Sequence, residues 1–321
     1  MLVLSALAQA TYTGPPNAYC TRQTYHVSLP SFATVPFTNL TTLDPSQPLV
    51  TELQAHTGAS YDISGVLCTP KDGDKHNGTI QLLVHGIAFD SSYWDLGFQP
   101  ENYSYVLRAA EAGYVTFRYD RLGTGESEMP FDGYNQVQAA TDLQILLQII
   151  SLLHSGGVGG QAYSTIVGVG HSYGSIQLAA ASAAVPDQLS ALVLTGFSAN
   201  GSYVGQFQTY VISGLPQSSQ INFFFYPFYD QVVASFSGVS SFTGPVHVVT
   251  GDRDWVFCGS QCDIKPDGQH TILDLIGPTV FPKSSNFSAF SPQNTGHGLN
   301  MHFSTPSSYT NILEWLTSVG F

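Results

Sequence analysis

Short, continuous apolar runs alternate with helical segments along most of the chain, and few architectures accept that order. Residues 79–84 (TIQLLV), 114–119 (YVTFRY), 165–169 (TIVGV), 191–195 (ALVLT) and 246–250 (VHVVT) each read as a strand covered on both faces. An earlier strand, 61–69, is split from 79–84 by the polar turn KDGDKHNG. Helical spacing over 101–112 ends at Gly113, a second helix over 134–154 stops at SGGVGG, and 172–184 and 307–317 supply two more. Strands of this kind separated by helices predict a mostly parallel central sheet with helices on both faces, an α/β fold. Such a sheet presents its ligand site at the carboxyl ends of the strands. The alternation breaks over 197–244, an aromatic-rich stretch that reads as a cap inserted between two sheet strands. Those rings also suit an ordinary core, and a cap needs packing of its own.

Composition narrows the function. The 321 residues are 43% hydrophobic, enough for a large core, yet only 10% charged against about 25% in an average soluble domain. Nine Lys and Arg face 22 Asp and Glu, a net charge of −13, so no cationic stripe exists to bind nucleic acid or an anionic membrane. The sequence has no run of 18 apolar residues, and no membrane-spanning helix is expected. Neither a metal nor a cofactor is called for.

Residues 1–10 (MLVLSALAQA) resemble the end of a secretory signal peptide. Zinc would need further short-spaced ligands beside the single C-x₃-C, so Cys20, Cys68, Cys258 and Cys262 read better as two disulfides, Cys20–Cys68 and Cys258–Cys262. Four buried thiols are the alternative. Sequons at Asn39, Asn77, Asn102, Asn200 and Asn286 add to the expectation of a secreted, glycosylated protein.

Gly170-His171-Ser172-Tyr173-Gly174 joins a predicted strand to a predicted helix. A turn that sharp needs glycine on both sides, lifts Ser172 clear of the sheet and aims a helix N-terminus at what it attacks. Ser172 is therefore the candidate nucleophile; the plainer reading is a helix N-cap. Its base would come from the loop before the last helix, His297 in preference to His302. The orienting acid would follow strand VHVVT, Asp254 in preference to Asp252. The oxyanion donors would be the N–H groups of Tyr173 and of Ile87, in the loop after QLLV.

With these residues in order, the chain resembles the α/β-hydrolases, the serine-nucleophile branch with a cap, and within them secreted fungal hydrolases. The order Ser172, Asp254, His297 matches the family, as do His85-Gly86 in the oxyanion loop and residues 120–127 (DRLGTGES) in a D-x-x-G-x-G-x-S turn. The match runs from about residue 61 to the end, leaving 11–60 as an N-terminal extension, with the core in 61–196 and 245–321. The resemblance implies acyl transfer to water through an acyl-enzyme on Ser172. It disfavours epoxide and haloalkane hydrolysis, because those relatives use an Asp nucleophile. Tyr93, Trp94 and Trp255 beside the predicted site suggest an apolar pocket for a hydrophobic ester or lactone, a secondary metabolite among the candidates. A C–C bond, polyketide or peptide hydrolase would use the same triad, and a non-catalytic small-molecule binder would keep the same pocket.

Overall fold

The structure, a computed structural model, describes residues 14–34, 54–199 and 240–321. Among the described residues ten strands run in chain order: β1 (Ala18–Ser28), β2 (Phe32–Thr34), β3 (Gln54–His56), β4 (Ser60–Pro70), β5 (Thr79–Val84), β6 (Val115–Tyr119), β7 (Thr165–His171), β8 (Ala191–Thr195), β9 (Val246–Val249) and β10 (Phe287–Phe290). Eight form one sheet in the order β1-β4-β6-β5-β7-β8-β9-β10, while β2 and β3 pair separately. From β6 to β10 every pairing is parallel; β4 is antiparallel to both β1 and β6. This is the mostly parallel α/β sheet expected from the alternation of strands and helices, and it is compatible with the fold that the resemblance to α/β-hydrolases implies.

Successive strand residues feed opposite layers, as the pleat requires. Ile80, Leu82 and Val84 of β5, with Leu192 and Leu194 of β8, pack under the helices Ala139–Ser155 and Tyr173–Ala184. Leu83, Val167, Val169, Val193 and Val249 face the other way, onto the helices Tyr105–Ala112 and Thr305–Ser318. All residues of β5, β6, β8 and β9 are buried, which is why they read as unbroken apolar runs.

Two expected helices are interrupted. Within 101–112, Ser104 takes an extended backbone; its hydroxyl accepts the Leu107 N–H at 3.0 Å and donates to Asp95 at 2.6 Å. The segment becomes a short helix, Pro100–Tyr103, followed by the helix Tyr105–Ala112. Within 134–154, extended Gln138 separates Gly133–Gln136 from Ala139–Ser155, and Gly156 closes the latter with left-handed φ. Strands β1, β2, β3 and β10 have no counterpart in the sequence reading. β1 extends the sheet's edge, so this part of the 11–60 extension is built into the eight-stranded sheet. Cys20 and Cys68 face each other in the β1–β4 register and are joined by a disulfide, as are Cys258 and Cys262.

Of the stretch 197–244, residues 200–239 lie outside the described residues, as do 1–10 and the sequons at Asn39 and Asn200. At its two ends, Phe197 and Phe242 are core residues. Asn77 and Asn286 are exposed and Asn102 is half-buried. Among the described residues, no helix is long and apolar enough to cross a membrane.

Candidate active site

Ser172 occupies the turn between β7 and the helix Tyr173–Ala184 with φ 54° and ψ −118°, a backbone that side-chain-bearing residues avoid. Packing imposes it. A Cβ on Gly170 would come within 2.7 Å of the Gly174 backbone, and one on Gly174 would strike the Val84 carbonyl. The Ser172 N–H donates to the Thr195 carbonyl at 2.8 Å, tying the turn to β8.

His297 Nε2 stands 2.8 Å from Ser172 Oγ, and His297 Nδ1 stands 2.7 Å from Asp254 Oδ2. Asp254 is fully buried, and its other oxygen accepts the Phe257 N–H at 3.0 Å. A carboxylate on Nδ1 fixes the proton there and leaves Nε2 to accept from the serine hydroxyl. Asp254 also caps the short helix Trp255–Cys258, whose last residue forms the disulfide with Cys262.

The rival acid and base both hold the histidine loop. Asp252 Oδ1 accepts the Thr295 N–H at 2.9 Å, and His302 Nε2 accepts the Gly296 N–H at 3.2 Å. Neither Asp252 nor His302 occupies the Ser172–His297–Asp254 line.

Tyr173 is the first residue of its helix, so its N–H belongs to the turn that has no intrahelical acceptor. The Gly86 backbone passes beside the serine: a Cβ there would lie 3.1 Å from Ser172 Cβ. Ile87, next in the chain, packs on Tyr173 and Ala139. His85 Nδ1 donates to the Gly86 carbonyl at 2.8 Å, and Nε2 accepts the Arg121 N–H at 3.1 Å. Burial, reinforced by the Arg121 charge, lowers His85 to a pKa of about 3 and keeps it neutral. His171 is buried under the site, with Nδ1 3.0 Å from Thr195 Oγ1. Burial first, then His297 and His85, hold it well below the usual histidine range.

The expected pocket requires a correction. Trp94 has no exposed surface and packs edge-on against Tyr93 and Tyr105 in the core, so it is no pocket wall. Tyr93 is also buried; it stacks on His171 at 4.3 Å, and its hydroxyl accepts the Asn300 N–H. Trp255 is half-buried beside Asp254. The sequence reading also missed Thr195, Arg121 and Asp142. Arg121 stands in the DRLGTGES turn, and Asp142 is a lone charge on the apolar side of a helix.

The sequence profile of the alpha/beta hydrolase family matches residues 81–263, more than half of the chain. The chain belongs to that family. This α/β-hydrolase matches no curated protein in sequence. In fold it is similar to an epoxide hydrolase of Vigna radiata, with TM-score 0.57, 15% identity, and 80% of this chain and 95% of that one covered. It is also similar to an esterase of Pyrococcus furiosus, with TM-score 0.56, 13% identity, and 92% and 91% covered. Both likenesses are of fold. Membership of that family makes the chain a hydrolase.

Proposed function

We propose that this hydrolase cleaves a hydrophobic ester or lactone through an acyl-enzyme on Ser172. The observation that carries the reading is the continuous line Ser172 Oγ–His297 Nε2, His297 Nδ1–Asp254 Oδ2, at 2.8 and 2.7 Å. Serine at the strand-to-helix turn favours acyl transfer, the esterase chemistry, over the epoxide chemistry of the other structural neighbour. In the proposed reaction Ser172 Oγ attacks the carbonyl carbon while His297 Nε2 takes the hydroxyl proton. The N–H groups of Tyr173 and Ile87 stabilise the oxyanion. The C–O bond to the alcohol breaks, and the alcohol leaves with the proton held by His297. Water then attacks the acyl-enzyme, gives its proton to His297, and the acid is released as Ser172 recovers its hydrogen. Asp254 keeps the imidazole in the required tautomer and stabilises its charged form.

The low charge of the chain supports a neutral, apolar substrate, because few cations exist to hold an anionic one. Two disulfides and exposed sequons at Asn77 and Asn286 support a secreted, glycosylated protein, with residues 1–10 as a signal remnant and 197–244 as the cap. Intact-mass analysis before and after a fluorophosphonate probe tests the nucleophile. One adduct, mapped to Ser172, is expected. No adduct on a folded protein, or turnover of p-nitrophenyl butyrate unchanged in Ser172→Ala, would end this mechanism.

A further inference from the structure

A buried ion pair stands behind the serine turn, and the proposed reaction does not use it directly. Arg121 Nη1 donates to Asp142 Oδ2 at 2.9 Å, and both side chains are essentially without exposed surface. Burying such a pair is costly, and an apolar pair of similar volume is often as stable, so its contacts are informative. Two lead to the oxyanion side of the site. Arg121 Nη2 donates to the Gly86 carbonyl at 3.1 Å. On the other side, the Tyr173 hydroxyl donates to the same Asp142 oxygen at 3.3 Å, and the Arg121 guanidinium lies 4.7 Å from the Tyr173 ring centre.

The peptide geometry gives these contacts a consequence. The Gly86 carbonyl and the Ile87 N–H belong to one planar trans peptide and point in opposite directions. Whatever holds the carbonyl inward turns the N–H the other way. Arg121 Nη2 and His85 Nδ1 both hold that carbonyl, and His85 is itself held by the Arg121 backbone N–H. The second donor, the Tyr173 N–H, is carried by the residue whose side chain is fastened to Asp142.

We propose that Arg121 is a positioning residue: with Asp142 it sets the Gly86–Ile87 peptide and Tyr173 relative to one another, fixing the spacing of the two oxyanion donors. The inference rests on the acyl-transfer reading above. A guanidinium suits the task because its rigid fork reaches two acceptors in different directions, whereas lysine offers one point charge.

The test compares Arg121→Met, Arg121→Lys and Tyr173→Phe with the parent chain, using p-nitrophenyl butyrate turnover and the affinity for phenylboronic acid. The boronate forms a tetrahedral adduct on an activated serine and so reads the oxyanion donors. In Arg121→Met, kcat should fall by about 10- to 100-fold, less than outright loss of a donor, while KM stays within about twofold. Boronate affinity should fall in parallel with kcat, and Arg121→Lys should recover part of both losses. A merely structural role would lower the melting temperature and the active fraction but leave the boronate affinity of the surviving fraction unchanged; that result overturns the proposal. If Arg121→Met does not fold, Tyr173→Phe decides: an unchanged kcat and boronate affinity overturn it, and a severalfold loss of both supports it. Ser172→Ala separates the two readings. If that variant loses turnover while the Arg121 variants keep theirs, only the positioning role fails; if it keeps turnover, the acyl-transfer reading fails first.

Discussion

At Asp252 and Asp254 two carboxylates of the same loop, two residues apart, have been given different surroundings. Asp254 is fully buried and is shared between the Phe257 N–H and the His297 ring; Asp252 accepts the Thr295 N–H and lies 3.8 Å from Arg253 Nε. Exchanging Asp254 for Asn replaces a charged acceptor by an amide that can donate to Nδ1, which favours the wrong tautomer at Nε2 and leaves the imidazolium without its counter-charge. A loss of about 10³- to 10⁴-fold in kcat is expected, in line with such exchanges in serine triads. Asp252→Asn keeps an oxygen for Thr295 and should cost less than about tenfold, through a looser histidine loop. Kinetics of the two purified variants check this, and equal losses would mean that the acid is wrongly assigned.

The elements that the sequence revealed are those whose burial leaves a pattern. β5, β6, β8 and β9 are covered on both sides and so read as apolar runs, and the glycines around Ser172 follow from backbone contacts that any side chain would violate. β1 was hidden because it is an edge strand. Its residues AYCTRQTYHVS are largely exposed, and its place is set by pairing with β4 rather than by its own apolarity. β10, four half-buried residues in a serine-rich stretch, leaves even less signal. The Arg121–Asp142 pair was invisible for another reason: its partners come from a turn and a helix that meet only in the folded chain. Likewise Trp94, close in sequence to the proposed oxyanion loop, looked like a pocket wall, since adjacency in sequence does not say which way a ring points. The disulfides act at this scale. Cys20–Cys68 closes a separation of 48 residues and fastens the edge strand, so its removal by Cys→Ala at both positions should cost about 4 kcal/mol on the loop-entropy view. Cys258–Cys262 spans a separation of only four residues and should cost nearer ~2 kcal/mol, with its effect felt on Asp254. Denaturant titrations of the two double variants measure both, and the reverse order would show that the edge strand holds without its bridge.

For the whole molecule, three buried histidines set the response to mild acid, above the range in which carboxylates with lowered pKa values titrate. His85, His171 and His247 are all lowered from the ordinary value of 6.5, in each case first by burial; Arg121 adds to this at His85, and His297 and His85 add to it at His171. At His247 the contacts with Asn311 and Ser288 oppose the burial without overcoming it. In the unfolded chain each would take a proton near pH 6.5, while in the folded chain His85 resists protonation down to about 3. Between those values the unfolded state binds more protons, so the contribution of these groups is fully present above pH 6.5 and lost as the pH falls, at up to about 1.4 kcal/mol per histidine per pH unit. Asp142 works in the opposite sense: burial raises its carboxyl despite Arg121, so acid favours its folded form. One carboxyl against three histidines leaves acid destabilising. The melting temperature at constant ionic strength should therefore fall from pH 7.5 to pH 5. Replacing His247 by Gln should flatten that slope, because it removes one of the three imidazoles while the amide can still reach Ser288 Oγ or Asn311 Oδ1. An unchanged midpoint at pH 5 in the parent chain would show that these imidazoles are not kept neutral by the fold.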